Sequence, residues 1–435
     1  MKKCRCFVSI RDMKYHIITY GCQMNTSDTE RLATKLKQAG HQPAKNSIAA
    51  ELILINACSV RQSAINRVFS QIENRKNKKI IIAGCVLEND KKKISDKYKD
   101  ILFWNPNEYF CLPPTHNSLF RAYVPIMTGC NNFCSYCVVP YTRGREQSRP
   151  VNEIITEIKS LIKKDYKEIT LLGQNVNSYS YNKRLPLERS KQKQAKLKTI
   201  NFIDLLKQIN SLPGNFRLIF LTSHPKDMSS GLIEAIAKCK KVSPYIHLPI
   251  QSGDNIILRK MNRRYTAIHY KNLIKKLRAA FKKYRPAFPP LAISTDVIVG
   301  FPGETKKQFL NTAKLMREIK FDMAYLARYS PRARTAAACL KDDISPAEKK
   351  RRENILNDIL AKTALINNKK YIGKIIPVFI EKNKNGFAFG KTTTNKTVKF
   401  TDTSKHKNIC FDKMVPVKIT AAGPWGLKGK PVKIK

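Results

Sequence analysis

Short apolar runs alternate with longer amphipathic stretches along most of this chain. Residues 15–20 (YHIITY), 51–56 (ELILIN), 79–83 (KIIIA) and 101–104 read as buried strands, being short and rich in β-branched side chains. Residues 26–39, closed by Gly40, and 59–75 carry helical spacing. Strand and helix in alternation predict a parallel sheet. The alternation resumes beyond residue 120. Strand-like runs at 121–127, 168–172, 216–221, 245–250, 292–299 and 322–327 are separated by helical patterns at 151–164, 202–212, 232–238, 267–281 and 306–319. About six βα units predict a partial or open parallel barrel. Ser345-Pro346-Ala347-Glu348 is a capping-box start with proline at the first helical position, opening a helix to about residue 367. After it come five short β-like pieces with glycine turns, at 374–380, 387–389, 397–400, 415–420 and 431–434. They predict a small β-barrel of the OB-like kind that binds nucleic acid. The expected fold is therefore α/β: an N-terminal parallel-sheet domain (13–115), a central partial (β/α)6 barrel (116–367) and a C-terminal small β-barrel (368–435).

Chemistry enters at the strand ends. Cys22, Cys58 and Cys85 each follow one of the first three strands, two of them directly after a glycine. In a parallel sheet these ends share one edge, the carboxyl edge where such folds bind ligands. Three cysteines far apart in sequence are thus expected to meet as a three-thiolate cluster site; the plainer reading is three small buried thiols capping strands. A second, contiguous set follows the first barrel strand: Cys130, Cys134 and Cys137 in GCNNFCSYCVVPYTRGRE, spaced C-x3-C-x2-C. A zinc site wants four ligands and finds no fourth cysteine nearby. Three thiolates can instead hold a 4Fe-4S cluster with one iron open to a ligand; a partial zinc site completed by a distant histidine is the alternative. Phe133 and Tyr136 lie between these cysteines and would shield a cluster from water. The barrel strands carry further polar residues at their carboxyl ends: Gln174 and Asn175 after the second, Ser223 and His224 after the third, Gln251 and Ser252 after the fourth. Asp296 lies in the fifth, with Gly300 and Glu304 beyond it. No proton-transfer role is assigned to His224 or His247.

Composition changes the picture in two ways. Lys+Arg number 82 against 32 Asp+Glu, a formal net charge of +50, which favours a polyanionic partner such as RNA or DNA; a lysine-rich proteome is the competing explanation. The segment 181–200 is especially basic and reads as an exposed loop or short helix, either a solvated insertion or a phosphate-contacting strip. Lys391, Lys396, Lys399 and Lys418 are expected to meet phosphate, and one of Phe387 and Phe389 to pack inside the small barrel. No apolar run is long enough to span a bilayer, and no export signal is evident, so no membrane association and a cytoplasmic location are expected. In a reducing compartment cysteines are read as metal ligands before disulfides. Met13 is a candidate alternative start, and Cys4 and Cys6 before it read as incidental. Cys111, Cys239, Cys339 and Cys410 are expected to be dispensable for clusters.

Taken together, GCQMN, NACSVR, the C-x3-C-x2-C loop, TLLGQNVNSY, TSHP, HLPIQSG, MNRRYT and STDVIVGFPGET resemble the radical-SAM methylthiotransferases, most closely the branch acting on isopentenyl-adenosine in tRNA. The resemblance implies two 4Fe-4S clusters and S-adenosyl-L-methionine as cofactors. Cys130, Cys134 and Cys137 would hold the cluster that binds and cleaves S-adenosylmethionine to a 5′-deoxyadenosyl radical. Cys22, Cys58 and Cys85 would hold the auxiliary cluster that carries sulfur. Gln174, Asn175, Gln251, Ser252, Asp296, Gly300 and Glu304 would line the cofactor. It further implies methylthiolation of carbon 2 of N(6)-isopentenyladenosine beside the anticodon, a tRNA anticodon stem-loop as partner, a flavodoxin- or ferredoxin-type electron donor, a TRAM domain at the C-terminus, and a monomer. Sister enzymes acting on threonylcarbamoyl-adenosine or a ribosomal-protein aspartate are the rival within the class; a non-catalytic metal-containing RNA-binding protein is the rival outside it. Two departures from the family pattern stand out: SPRART at 330–335, where Pro-Gly is usual, and Lys391, where Arg is usual.

Overall fold

The computed structural model describes residues 12–59, 62–116, 118, 120–184, 197–401 and 414–432. Cys4, Cys6, Cys410, Arg189, Lys191, Lys193 and Lys196, and part of the expected strand 431–434, lie outside them. The chain forms two compact units. One comprises Met1–Ser118, Met127–Arg149 and Arg332–Ala338; the other comprises Leu119–Ile126, Pro150–Pro331 and Cys339–Lys435.

In the first unit, five strands, β1 (Lys14–Thr19), β2 (Gln42–Pro43), β3 (Leu52–Cys58), β4 (Lys79–Cys85) and β5 (Ile101–Phe103), form an all-parallel sheet in the order β2-β1-β3-β4-β5. Every residue of β3 is buried, as a central parallel strand covered on both faces requires. The alternating side chains of β3 and β4 feed two cores. Ile53, Ile55, Ile80 and Ile82 pack with Val68 and Ile72 on one face; Leu52, Leu54 and Ile81 pack with Leu32, Leu36 and Tyr109 on the other. A helix at Glu88–Lys97 was not expected. Its sequence ENDKKKISDK buries only Asp90 and Ile94 and so hides its period.

In the second unit, six parallel strands run in chain order as two three-stranded sheets. Arg121–Pro125, Glu168–Leu172 and Arg217–Phe220 form one; Tyr245–His247, Ala292–Val299 and Met323–Arg328 form the other. A parallel bridge between Leu218 and Val242 joins them, giving the open six-stranded barrel. The fourth strand is shorter than expected, ending at His247. The basic segment begins and ends as an antiparallel pair, Ser180–Arg184 with Leu197–Asn201, rather than as loop or helix.

The long helix Pro346–Lys369 begins as expected, with Ser345 Oγ accepting from Glu348 N at 3.2 Å. A closed five-stranded barrel follows: Ile375–Lys384, Phe387–Thr392, Thr397–Thr401, Met414–Gly423 and Gly426–Pro431. Its last strand starts earlier than expected because Pro424-Trp425 turns the chain back as a hairpin. This barrel sits at the amino-terminal edge of the six-stranded one. Arg121, Glu168 and Arg217 lie side by side across three strands there. Arg121 pairs with Glu168 and with Glu381 of the small barrel, while Arg217 donates to Thr392 O at 2.7 Å and stacks over Phe379 at 3.9 Å.

Two small-barrel expectations are corrected. Phe387 and Phe389 are two residues apart on one strand, so they share a face; both stand outside the core, under the Lys399 ammonium at 3.6 and 5.9 Å. Lys396 is not offered to phosphate: its side chain is 8% exposed and pairs with Asp322 at 2.6 Å. Lys391, on the same outer face as the two phenylalanines, is engaged by its strand neighbour, donating to Thr397 Oγ1 at 2.9 Å.

Candidate metal centres and cofactor face

The scattered cysteines reach the same edge of the sheet. Cys58 and Cys85 are the last residues of β3 and β4 and are register partners. Cys22 caps the helix Gln23–Gln38, three residues beyond the Thr19↔Asn56 pair of β1 and β3. Gly21 makes this approach practicable. Its φ is +121°, and a Cβ there would fall 2.4 Å from Asn25 Oδ1 and 3.0 Å from Cys58 Cβ.

Asn25, fully buried, ties the parts together. Its Oδ1 accepts from Cys22 N at 3.3 Å, and its Nδ2 donates to Asn56 Oδ1 and Ala57 O, both at 3.0 Å. Asn56 Nδ2 in turn donates to Asn25 O at 2.7 Å. The two asparagines lie in the GCQMN and NACSVR motifs; their buried pairing between the helix Gln23–Gln38 and β3 had no signal beyond that.

The contiguous triad lies in the same unit. Gly129 (φ +76°) turns the chain into it, and a Cβ there would sit 2.1 Å from Arg145 O. Cys130 N donates to Gly144 O at 3.2 Å and Cys137 N to Cys134 O at 2.9 Å, closing the loop on itself. Asn132 N and Nδ2 each approach Cys130 Sγ at 3.5 Å. Phe133 and Tyr136 are half-buried, Phe133 meeting Tyr141 edge-on at 6.2 Å with the Arg145 guanidinium 4.3 Å from its ring. Gly129→Ala is expected to force this loop open and cut the iron retained on anaerobic reconstitution by about half, read by metal analysis, because the added Cβ meets fixed backbone.

Arg143, within the C-x3-C-x2-C motif's own sequence run, joins the two sets. Its side chain is 1% exposed; Nε donates to Cys85 Sγ at 2.9 Å and Nη2 pairs with Asp28. Burial pushes the Cys85 thiol up to about 12, the Arg143 cation opposing and Cys58 and Cys22 adding to the rise. Burial likewise raises Cys130, with the Asn132 N–H opposing. Such thiols become thiolates when a metal takes the place of the proton.

Among the described residues no group of three or more His, Cys, Asp or Glu is arranged to hold a single metal ion. A cluster is held differently, each thiolate bonding a separate iron. Soft donors, burial and a nearby cation to offset thiolate charge fit an iron–sulfur group at either set.

The SPRART departure lies beside these loops. Arg332 donates to Asp90 Oδ2 at 2.8 Å, and that carboxylate also accepts from Ser59 Oγ at 3.3 Å, next to Cys58. Ala337 N donates to Ser135 O at 2.7 Å, between Cys134 and Cys137. Cys111 and Cys339 are exposed and Cys239 is buried under its helix.

In the other unit, the expected cofactor residues sit at the carboxyl edge of the barrel. Gln251 (φ +71°) donates its N–H to Asp296 O and accepts from Ile298 N, both at 2.9 Å, which joins those two loops. Asp296 faces His247 Nε2 at 3.3 Å. Ser252 and Glu304 are engaged inside the fold. Ser252 Oγ accepts from Asp254 N at 3.2 Å; Glu304 Oε2 accepts from Gly300 N at 2.8 Å and Arg352 Nη1 at 2.7 Å. Burial raises the Glu304 carboxyl, with those two donors opposing.

Asn175 Nδ2 donates to Asp227 Oδ2 at 2.7 Å. Five buried polar atoms at this edge have no protein partner: Gln174 Oε1, Asn175 Oδ1, Asn177 Oδ1, Ser223 Oγ and His224 Nε2. Buried polar groups left unanswered call for a partner, and a polar ligand such as S-adenosylmethionine would supply one. His224 Nδ1 accepts from Lys226 N at 3.2 Å, so the proton sits on Nε2.

Burial, then Arg263 and Lys226, lower His224 to about 2 from 6.5. Below pH 6.5 the unfolded chain takes up a proton that the folded one refuses, so stability is intact above that pH and is lost as pH falls from 6.5 towards 2. His224→Gln is expected to flatten this decline by up to about 1.4 kcal/mol per pH unit, measured by urea unfolding across pH 6.5 to 4.5.

The sequence pattern of the Radical SAM superfamily matches residues 124–316, that of uncharacterized protein family UPF0004 matches 14–104, and that of the TRAM domain matches 369–432. A radical-SAM barrel carried with a cysteine-edged parallel sheet and a TRAM barrel is the class these elements define. The tRNA-2-methylthio-N(6)-dimethylallyladenosine synthase of Thermoanaerobacter pseudethanolicus is 39% identical over 98% of this chain and 94% of its own. That of Clostridium perfringens is 38% identical over 96% and 97%. The chain belongs to this family of radical-SAM tRNA methylthiotransferases. Among solved structures, a radical S-adenosylmethionine methyltransferase from Kitasatospora setae, TsrM, aligns over 72% of each chain at 12% identity with a TM-score of 0.48.

Proposed function

We propose that this enzyme methylthiolates carbon 2 of N(6)-isopentenyladenosine in tRNA, using S-adenosyl-L-methionine and two 4Fe-4S clusters. The observation that carries the reading is the arrival of Cys22, Cys58 and Cys85 at one sheet edge, in a unit that also holds the Cys130/Cys134/Cys137 loop. The contiguous cysteines would hold the cluster that takes S-adenosylmethionine, and the scattered ones would hold the auxiliary cluster. When bound, the clusters supply the electron and the sulfur.

The chain's own residues orient and shield. Arg143 holds positive charge against Cys85, Phe133 and Tyr136 exclude water, and the polar atoms of Gln174, Asn175, Ser223 and His224 receive the polar groups of cofactor or base. Gln251, Ser252, Asp296, Gly300 and Glu304 shape the remaining cofactor loops, Ser252 and Glu304 by holding backbone. The reading is completed by the anticodon stem-loop as the part of tRNA engaged, a flavodoxin- or ferredoxin-type reductant, a monomer and a cytoplasmic location. No helix among the described residues is long and apolar enough to cross a membrane.

Reconstituted, reduced protein given isopentenylated tRNA and S-adenosylmethionine is expected to yield 2-methylthio-N(6)-isopentenyladenosine on nucleoside mass spectrometry. A methylthio mark on threonylcarbamoyl-adenosine or on protein would transfer the assignment to a sister enzyme. Failure to release 5′-deoxyadenosine under anaerobic conditions would favour a non-catalytic RNA-binding protein.

A further inference from the structure

The amino-terminal end of the six-stranded barrel carries a cavity of about 650 Å³ that the methylthiolation chemistry does not use. Three helix ends converge on it. Lys282 comes from the last turn of Ala267–Tyr284, Lys320 is the left-handed cap of Lys306–Ile319, and Lys370 caps Pro346–Lys369. All three are exposed. Phe288, 38% exposed, forms part of the wall and stands edge-on to the buried Tyr371 ring, centroids 4.7 Å apart.

The one acid in the lining, Asp322, is already engaged, accepting from Lys396 Nζ at 2.6 Å and from Ile293 N at 2.9 Å. Arg285 is likewise committed, capping the carbonyls of Ala237 and Val242 at 2.9 and 2.6 Å. A lysine at a helix carboxyl terminus is ordinary macrodipole compensation. That account does not explain why three such ends surround one apolar cavity with an exposed aromatic ring. Basic side chains around a ring that a base can stack on are the elements of single-stranded RNA recognition.

We propose that this cavity receives a nucleotide of the tRNA outside the anticodon loop, its base against Phe288 and its flanking phosphates on Lys282, Lys320 and Lys370. The location separates it from the modified adenosine. Strand Ala292–Val299 runs from the cavity's edge to the cofactor edge, and its eight residues span about 26 Å at roughly 3.3 Å each. One tRNA would then be held at both ends of the barrel. The inference rests on tRNA being the substrate.

The test compares full-length tRNA with an isolated anticodon stem-loop in equilibrium binding over a salt series. The proteins are wild type, the triple variant Lys282→Ala/Lys320→Ala/Lys370→Ala, the variant Phe288→Ala, and a charge-matched control, Lys275→Ala/Lys276→Ala/Lys283→Ala. For full-length tRNA the triple variant is expected to lower the log–log salt slope by roughly 2 to 3, at about 0.7 to 0.9 per lost phosphate contact. Phe288→Ala is expected to weaken binding by roughly 5- to 150-fold, the range for one stacked base. Stem-loop binding and tRNA-independent S-adenosylmethionine cleavage stay at wild-type values in both, and the control changes the slope by less than half as much.

An unchanged slope and affinity for full-length tRNA overturns the proposal, as does equal weakening by the control or equal weakening with the stem-loop. So does saturable binding of adenosine monophosphate that the triple variant loses while tRNA binding persists. Wild-type protein that binds no tRNA at all would refute the substrate assignment instead.

Discussion

Cys58→Ala protein is expected to cleave S-adenosylmethionine to 5′-deoxyadenosine normally, yet to bind half the iron and form no methylthiolated nucleoside. Cys134→Ala is expected to lose cleavage itself. The asymmetry follows from the two thiol sets. Cys58 ends β3 as the register partner of Cys85, whereas Cys134 lies in a loop closed by its own backbone contacts, Cys130 to Gly144 and Cys137 to Cys134. Removing a ligand from one set leaves the peptide scaffold of the other intact. Iron and sulfide analysis with a cleavage assay on anaerobic protein separates the two losses. Methylthiolation surviving Cys58→Ala would refute the division of labour.

Arg143→Met is expected to cost about 3 to 5 kcal/mol of folding stability before any cluster is added. The side chains of Arg143 and Asp28 are 1% and 2% exposed, so deleting the cation strands a carboxylate in the interior. Urea unfolding of the cluster-free protein measures this. The double variant Arg143→Met/Asp28→Asn is expected to recover a large part of the loss, since neither partner is then an isolated charge. Because Nε also reaches Cys85, the single variant should retain less iron even where it folds.

What the sequence made legible and what it hid divide along physical lines. ELILIN and KIIIA announced central strands because buried parallel strands must be apolar on both faces. Once strand and helix alternate, topology alone carries Cys22, Cys58 and Cys85 to one edge, whatever their separation along the chain. The helix at Glu88–Lys97 was illegible because only two of its positions are buried, and the Ser180–Arg184 and Leu197–Asn201 pair because its lysines masked the alternation.

At the candidate site, the contiguous cysteines stood out by spacing and the scattered ones by their places after strands, but the groups packed against them left no signal. Arg143 reaching Cys85, and Asn25 bonded to Asn56, are contacts between segments 58 and 31 residues apart, and a polar residue's partner leaves no periodic trace. The same holds for Lys396. Its charge suggested phosphate; its partner, Asp322, is 74 residues away.

The first compact unit is finished by a strip of chain made very late. Arg332–Ala338 belongs to it, through Arg332 on Asp90 and Ala337 on Ser135. On the ribosome, Arg149 and Ala338 are separated by roughly 10 to 40 s of synthesis at 5 to 20 residues per second. Until then the nascent protein holds six thiols in an incomplete shell. The surroundings of those thiols are therefore completed only after the barrel's last strand, Met323–Arg328, has been made.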